Sequence, residues 1–375
     1  MKKLTPRYRR WLRTRARNQT KNCRKKVPSI ALITGLTGSE LVHLGQAGES
    51  PPVNFCFDQN RDATLNFVAA VRRRSRLMAR GAFLFPTGKH RKQRLQYLAK
   101  YYDFSLMERI SPSAALVLAA EYDLRRRIGG RNPFAVKLEE WNPAVRDLLR
   151  ELGFFDLLNI EHNVPPPDMS DKMILRFKSG SQVDPTEVGG PDSLLEKLFT
   201  FVGRNPALET QLYSAVLEAM NNVRDHAYPE SFFHGVRHVK DWWLTGAADR
   251  SARRLTLSLY DQGITIPVSL PNTWGVQQLI GTFLERFNLA YDPLDSRFDG
   301  EAIETATLTF RSSTGLGHRG LGLAKIREVV DTLPGGKLRI VSRFGDYVAR
   351  SGRAPAIENC KIPLSGTLVE IEADF

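Results

Sequence analysis

Leu65, Val68, Ala69 and Val71 recur three and four positions apart, which predicts a helix over 62–78 with one apolar face. The same spacing predicts a long helix over 113–127. Another is expected over 141–158, where Val145, Leu148, Leu149, Leu152 and Leu157 form the stripe. Residues 28–34 read as a strand ending at a turn with Gly35, 81–85 as a short apolar stretch and 89–102 as a basic helix. Strands and helices in alternation predict a small α/β domain over 28–163. Pro165, Pro166 and Pro167 then stand in succession, which fits neither helix nor central strand, and 180–190 is polar and punctuated by Gly and Pro. A linker over 164–190 is expected. From 191 to 375 the pattern predicts a second α/β domain. It has a helix over 209–227, a half-buried strand over 254–260 on which Leu255, Leu257 and Leu259 alternate with polar residues, and a helix marked by Leu323, Ile326, Val329 and Val330.

The 375 residues, 42% of them apolar, are enough for two or three domains with their own cores. Cys23, Cys56 and Cys360 are too few and too scattered for a disulfide framework or a zinc site. No apolar run approaches the roughly 20 residues of a membrane span, and the start lacks the apolar stretch of a secretory leader. A cytoplasmic protein with no membrane partner is expected. Twelve Lys and Arg and no acidic residue fall in the first 26 positions, leaving +2 of the net +14 for the rest. With Tyr8 and Trp11 among these charges, residues 1–27 read either as a disordered, solvated tail or as a segment making non-specific nucleic-acid contact through 1–26.

On the helix over 209–227, at about 100° per residue, Asn222 and Asp225 fall within about 40° of Glu218, while Val216, Ala219, Met220, Val223 and Ala227 take the other side. A face of Glu, Asn and Asp offers oxygen ligands for Mg²⁺ and a carboxylate to activate water. The strand over 254–260 delivers Asp261 to its end, where a carboxylate can accept from the exocyclic amine of adenine, and Gly263 leaves the backbone without a Cβ. Alone, Asp-x-Gly is usually only a turn; its place after this helix and strand gives it meaning. Gly315, Gly317, Gly320 and Gly322 then open a helix whose first N–H groups can receive phosphate. Residues 307–314 are polar rather than a strand and no acidic residue lies at the required distance beyond, so the glycines are not a dinucleotide fingerprint. No P-loop motif occurs either.

This order of polar helix, Asp-x-Gly strand end and Gly-x-Gly helix start resembles the GHKL (histidine kinase-like) ATPase superfamily, over about 191–375. The resemblance implies a Bergerat-type ATP-binding domain, a two-layer α+β sandwich, with ATP and Mg²⁺ as cofactors. It implies that Asn222 holds Mg²⁺, Glu218 polarises the attacking water, Asp225 supports the metal or nucleotide shell, Asp261 reads adenine and Gly263 permits its approach. Gly315, Gly317, Gly320 and Gly322 would belong to the lid and phosphate turn, with 267–314 as the lid region and Arg311 and Arg319 beside the glycines. Thr367, in Ser365-Gly366-Thr367, matches the hydroxyl that supports the adenine-binding aspartate, and His226 a position that often carries His or Lys. One departure is Thr265, where a second glycine is expected.

No phosphoacceptor hairpin is legible before this region and no transducer domain after it, which points away from histidine kinases and from topoisomerase, chaperone and mismatch-repair relatives. Asp103-Phe104-Ser105 and 110–116 resemble a STAS-like domain, with Ser113 near the phosphoacceptor position; Ser111 or Ser113 as a plain helix cap is the other reading. Two functions are consistent with these features. One is an ATP-hydrolysing switch or regulator in which nucleotide closes the lid, favours a homodimer and alters how a protein partner is engaged. The other is an anti-sigma-factor-like serine kinase acting on a STAS-like domain in cis or in trans.

Overall fold

In the computed structural model of the protein, residues 51–79, 104–129, 138–158, 171–181, 192–233, 240–270, 295–308 and 322–375 are described. The basic tail, the strand over 28–34, the stretches at 81–85 and 89–102, Pro165 to Pro167, most of the lid region, Arg311, Arg319 and Gly315, Gly317 and Gly320 lie outside the described residues.

Strand β1 (Asn54–Phe55) leads into helix α1 (Phe57–Ala79), and β2 (Arg109–Ile110), parallel to β1, leads into α2 (Pro112–Gly129). Ser111 starts α2: its Oγ accepts from the Ala114 N–H at 3.3 Å. The expected helix over 141–158 is two, α3 (Pro143–Leu152) and α4 (Phe154–Leu158), because Gly153 takes a left-handed φ of 92° and caps the first. Strands β3 (Lys172–Ile174) and β4 (Lys178–Ser181) precede α5 (Asp192–Val202) and α6 (Pro206–Asn222). At the start of α6 the Asn205 side chain accepts from Leu208 N–H, and Glu209 reaches back to Asn205 N–H at 3.1 Å, satisfying donors at both levels of the first turn. Strands β5 (Asp241–Asp249) and β6 (Arg254–Asp261), helices α7 (Asp299–Thr307) and α8 (Gly322–Thr332), and strands β7 (Lys337–Arg350) and β8 (Ala356–Asp374) complete the order.

The six strands β3 to β8 form one sheet in the order β3-β5-β6-β8-β7, with β4 also on β5, and every pairing is antiparallel. The chain is thus a mixed helix-and-sheet protein of the α+β class. Side chains alternate across the sheet. Leu244, Leu257, Leu259, Ile340, Val369 and Ile371 face α5, α6 and α8. Trp243, Tyr260, Val341 and Leu368 face the other way, into a core shared with α1 to α4. The residues expected as a separate first domain therefore supply, where described, a helical layer on the second face of this sheet. Part of that contact is ionic: Lys337 meets Asp58, Glu370 and Glu372, while Arg339 and Arg61 meet Asp346. Among the described residues no helix is long and apolar enough to cross a membrane.

Candidate functional site

Helix α6 carries the first of the expected groups, and the apolar set read from its periodicity, Val216, Ala219, Met220, Val223 and Ala227, is buried. At its end the Val223 N–H reaches both the Ala219 and Met220 carbonyls, and the backbone widens into a π turn over Val223–Ala227. The wider turn rotates the side chains beyond Asn222 about the helix axis. Asp225, expected beside Glu218 and Asn222, instead points outward, half exposed and bonded to its neighbour Arg224 at 2.8 Å. His226 takes the inner position, where burial lowers its pKa against the pull of the Asp225 charge.

Helix α8 runs antiparallel to α6, and three contacts fix the register. Gly322 lies on Asn222, where a Cβ would overlap the Asn222 carboxamide. One turn along, Lys325 Nζ donates to Glu218 Oε1 at 2.6 Å. Farther still, Gln211 donates to Thr332 at 3.0 Å. Asn222 Nδ2 is buried and, among the described residues, bonded to nothing. Glu218, by contrast, is engaged. The sequence reading overlooked Lys325, although its place three residues after Gly322 put it on the same helix face.

The aspartate stands where β6 ends. Asp261 is 5% exposed. Its Oδ1 accepts from the Gly263 N–H at 2.7 Å, and its carboxylate also accepts from the Thr367 N–H. Burial pushes its pKa up to about 7; the two N–H donors and, more distantly, Arg72 pull against that rise. Strand β8 pairs Thr367 directly with Asp261. It can approach so closely because Gly366, at φ 110°, has no Cβ to strike the Asp261 carbonyl. The Thr367 hydroxyl is bonded to Ser342 Oγ at 2.9 Å, and the Thr367 backbone N–H serves Asp261 directly. Gly263 is needed for packing: a Cβ would overlap the Ala227 carbonyl, which already accepts from the Ile264 N–H at 2.9 Å.

Asn222, His226, Asp261, Thr265, Leu323 and Thr367 line one cleft, with Ala219, Val223, Leu259 and Val369 as its apolar floor. Its size does not single it out, since two other clefts among the described residues leave more room. Its lining does: a buried carboxylate and an unpartnered carboxamide converge on an apolar floor beside the start of α8. Glu218 stands one turn from Asn222 on α6, paired with Lys325, and does not line the cleft. Ser342, which accepts from the Ile266 N–H and holds Thr367, was not legible, because cross-strand register is not written in local spacing. Compared with known proteins, the chain matches no family model and no curated protein.

Proposed function

We propose that this cleft binds ATP with Mg²⁺ and that the protein is an ATP-hydrolysing switch of the GHKL type. The observation that carries the reading is the buried Asp261 carboxylate, held by two backbone N–H groups with acceptor capacity left over, in the same cleft as Asn222 and the first turn of α8. Such a carboxylate, beside the apolar floor of Leu259, Ala219 and Val369, suits a flat base bearing an exocyclic amine. The start of α8 offers N–H groups and a favourable dipole to phosphates. Asn222 fits as the protein's one amide ligand to Mg²⁺, an ion that takes most of its other oxygens from water and phosphate; bound there, the ion would neutralise phosphate charge. Glu218, one turn from Asn222, is the carboxylate we assign to orient water once it gives up Lys325. Asp225 supports the shell only through a rearrangement of the π turn.

The serine-kinase alternative loses its acceptor in cis. Ser113 is 1% exposed, bonded to Ser111 and Glu370, on the sheet face away from the cleft. With γ-labelled ATP and Mg²⁺, the purified protein should release free phosphate. Glu218→Ala should lower that release at least a hundredfold while still binding ATP, and Asp261→Asn should weaken binding itself about tenfold or more, the loss expected for a buried charge-assisted hydrogen bond. Label retained on the protein, or unchanged affinity in Asp261→Asn, would overturn the assignment.

A further inference from the structure

On the face of the sheet opposite the cleft, Arg72 of α1 and Glu121 of α2 form an ion pair, 6% and 0% exposed, with Nη2 to Oε1 at 2.8 Å and Nε to Oε2 at 3.0 Å. A buried pair of this kind costs desolvation that a well-packed apolar pair would avoid, so stability alone does not explain it. Its remaining bonds explain it better. Arg72 Nη1 donates to the Ser365 carbonyl at 3.0 Å, and the Tyr260 hydroxyl donates to the same carbonyl at 2.7 Å. Glu121 Oε1 accepts from Gln262 Nε2 at 3.0 Å. The Gln262 backbone N–H is in turn fixed on the Tyr228 hydroxyl at 2.9 Å.

Tyr260 and Gln262 are the two neighbours of Asp261, and Ser365 stands two residues before Thr367. We propose that Arg72 and Glu121 are positioning residues for the cleft: from the helical layer behind the sheet they clamp the two backbone segments whose N–H groups hold the Asp261 carboxylate. The inference rests on the nucleotide reading of the cleft. Through Ser365, the pair fixes the peptide that turns at Gly366 and aims the Thr367 N–H; through Gln262, it fixes the turn that aims the Gly263 N–H. Residues far from the cleft in sequence thus set the geometry at its base-binding end, leaving the phosphate end to Asn222 and α8.

The test separates the two ends with two probes, ATP and inorganic tripolyphosphate, titrated by calorimetry into the full chain in the presence of Mg²⁺. Glu121→Gln keeps the shape and removes the charge. It should raise the Kd for ATP about tenfold and leave tripolyphosphate within twofold of the unsubstituted protein. Combined with Asp261→Asn it should add nothing, because both act on one contact. Gln262→Leu, which cuts the link and leaves the ion pair whole, should behave as Glu121→Gln does and stands in for it if that variant does not fold. An ATP affinity within twofold of the unsubstituted protein, equal losses for both probes, or additive effects with Asp261→Asn would each overturn the proposal. If Asp261→Asn alone leaves ATP binding intact, the nucleotide reading fails with it; if Asp261→Asn weakens binding and Glu121→Gln does not, only the positioning role fails.

Discussion

On the proposed reading Asp261 carries most of the chemistry, and its environment gives it a pH signature of opposite signs in two measurements. An unfolded aspartate titrates near 3.9, whereas the folded one is pushed up to about 7 by burial. Between those values the folded protein holds the proton and the unfolded chain does not. The contribution of this group to stability is therefore full below about pH 4, declines as the pH rises, and is gone above about pH 7, a loss of the order of a few kcal/mol. Affinity for an amine-bearing base runs the other way, because only the ionised carboxylate accepts both backbone donors and the amine. From pH 8 to pH 6 the difference in unfolding free energy between the unsubstituted protein and Asp261→Asn should grow, while ATP affinity falls about tenfold beyond the change seen in Asp261→Asn. Chemical denaturation and calorimetry at the two pH values read both quantities. Curves for the two proteins that run parallel would show that Asp261 is not the titrating group.

At the scale of elements, the turn after β6 and the end of α6 show what periodicity carries and what it leaves out. The apolar stripe of 209–227, the strand ending at Asp261 and the helix after the glycines were all legible as elements from local spacing, but the strand expected half-buried is buried on both faces, because Ser258 and Tyr260 lie under the helical layer behind the sheet. The π turn over Val223–Ala227 was not, since a wheel at a fixed angle per residue assumes the α geometry it tests, and Asp225 was misplaced with it. The missing glycine at Thr265 was legible as a departure, and the structure gives its physical meaning. Thr265 sits at φ 80° and ψ 152°, a region that is nearly glycine-only, and its Oγ1 is buried with no partner. Strain of about 1–3 kcal/mol is stored there, less roughly 1 kcal/mol for the extra chain entropy that glycine would lose on folding. Thr265→Gly should therefore stabilise the protein by about 1 kcal/mol, seen as a higher denaturant midpoint at unchanged slope. A lower midpoint would mean that the Thr265 methyl packs better than its backbone is strained.

For the whole molecule, the division expected at 164–190 and the core that spans it lead to different outcomes when the chain is cut. Local spacing separates the two halves in sequence, but it says nothing of which sheet face each half covers, and here both halves cover the same sheet. Trp243, Tyr260, Val341 and Leu368 are buried beneath α1 and α2, and Lys337 and Arg339 complete their ion pairs on Asp58. Exposing four such apolar side chains costs about 1.5–3 kcal/mol each, which together matches the 5–15 kcal/mol that holds an ordinary protein folded. A fragment of residues 164–375 should thus contain every cleft residue and still fail to form it: it should bind a hydrophobic dye, melt without a cooperative transition and take up no ATP. Co-expression with residues 28–163 should restore the transition and the binding together. A fragment that melts cooperatively and binds ATP as the full chain does would show that the cleft stands without its rear layer. The Arg72–Glu121 pair would then have nothing to position, so this one truncation decides whether the helices behind the sheet belong to the site or merely cover it.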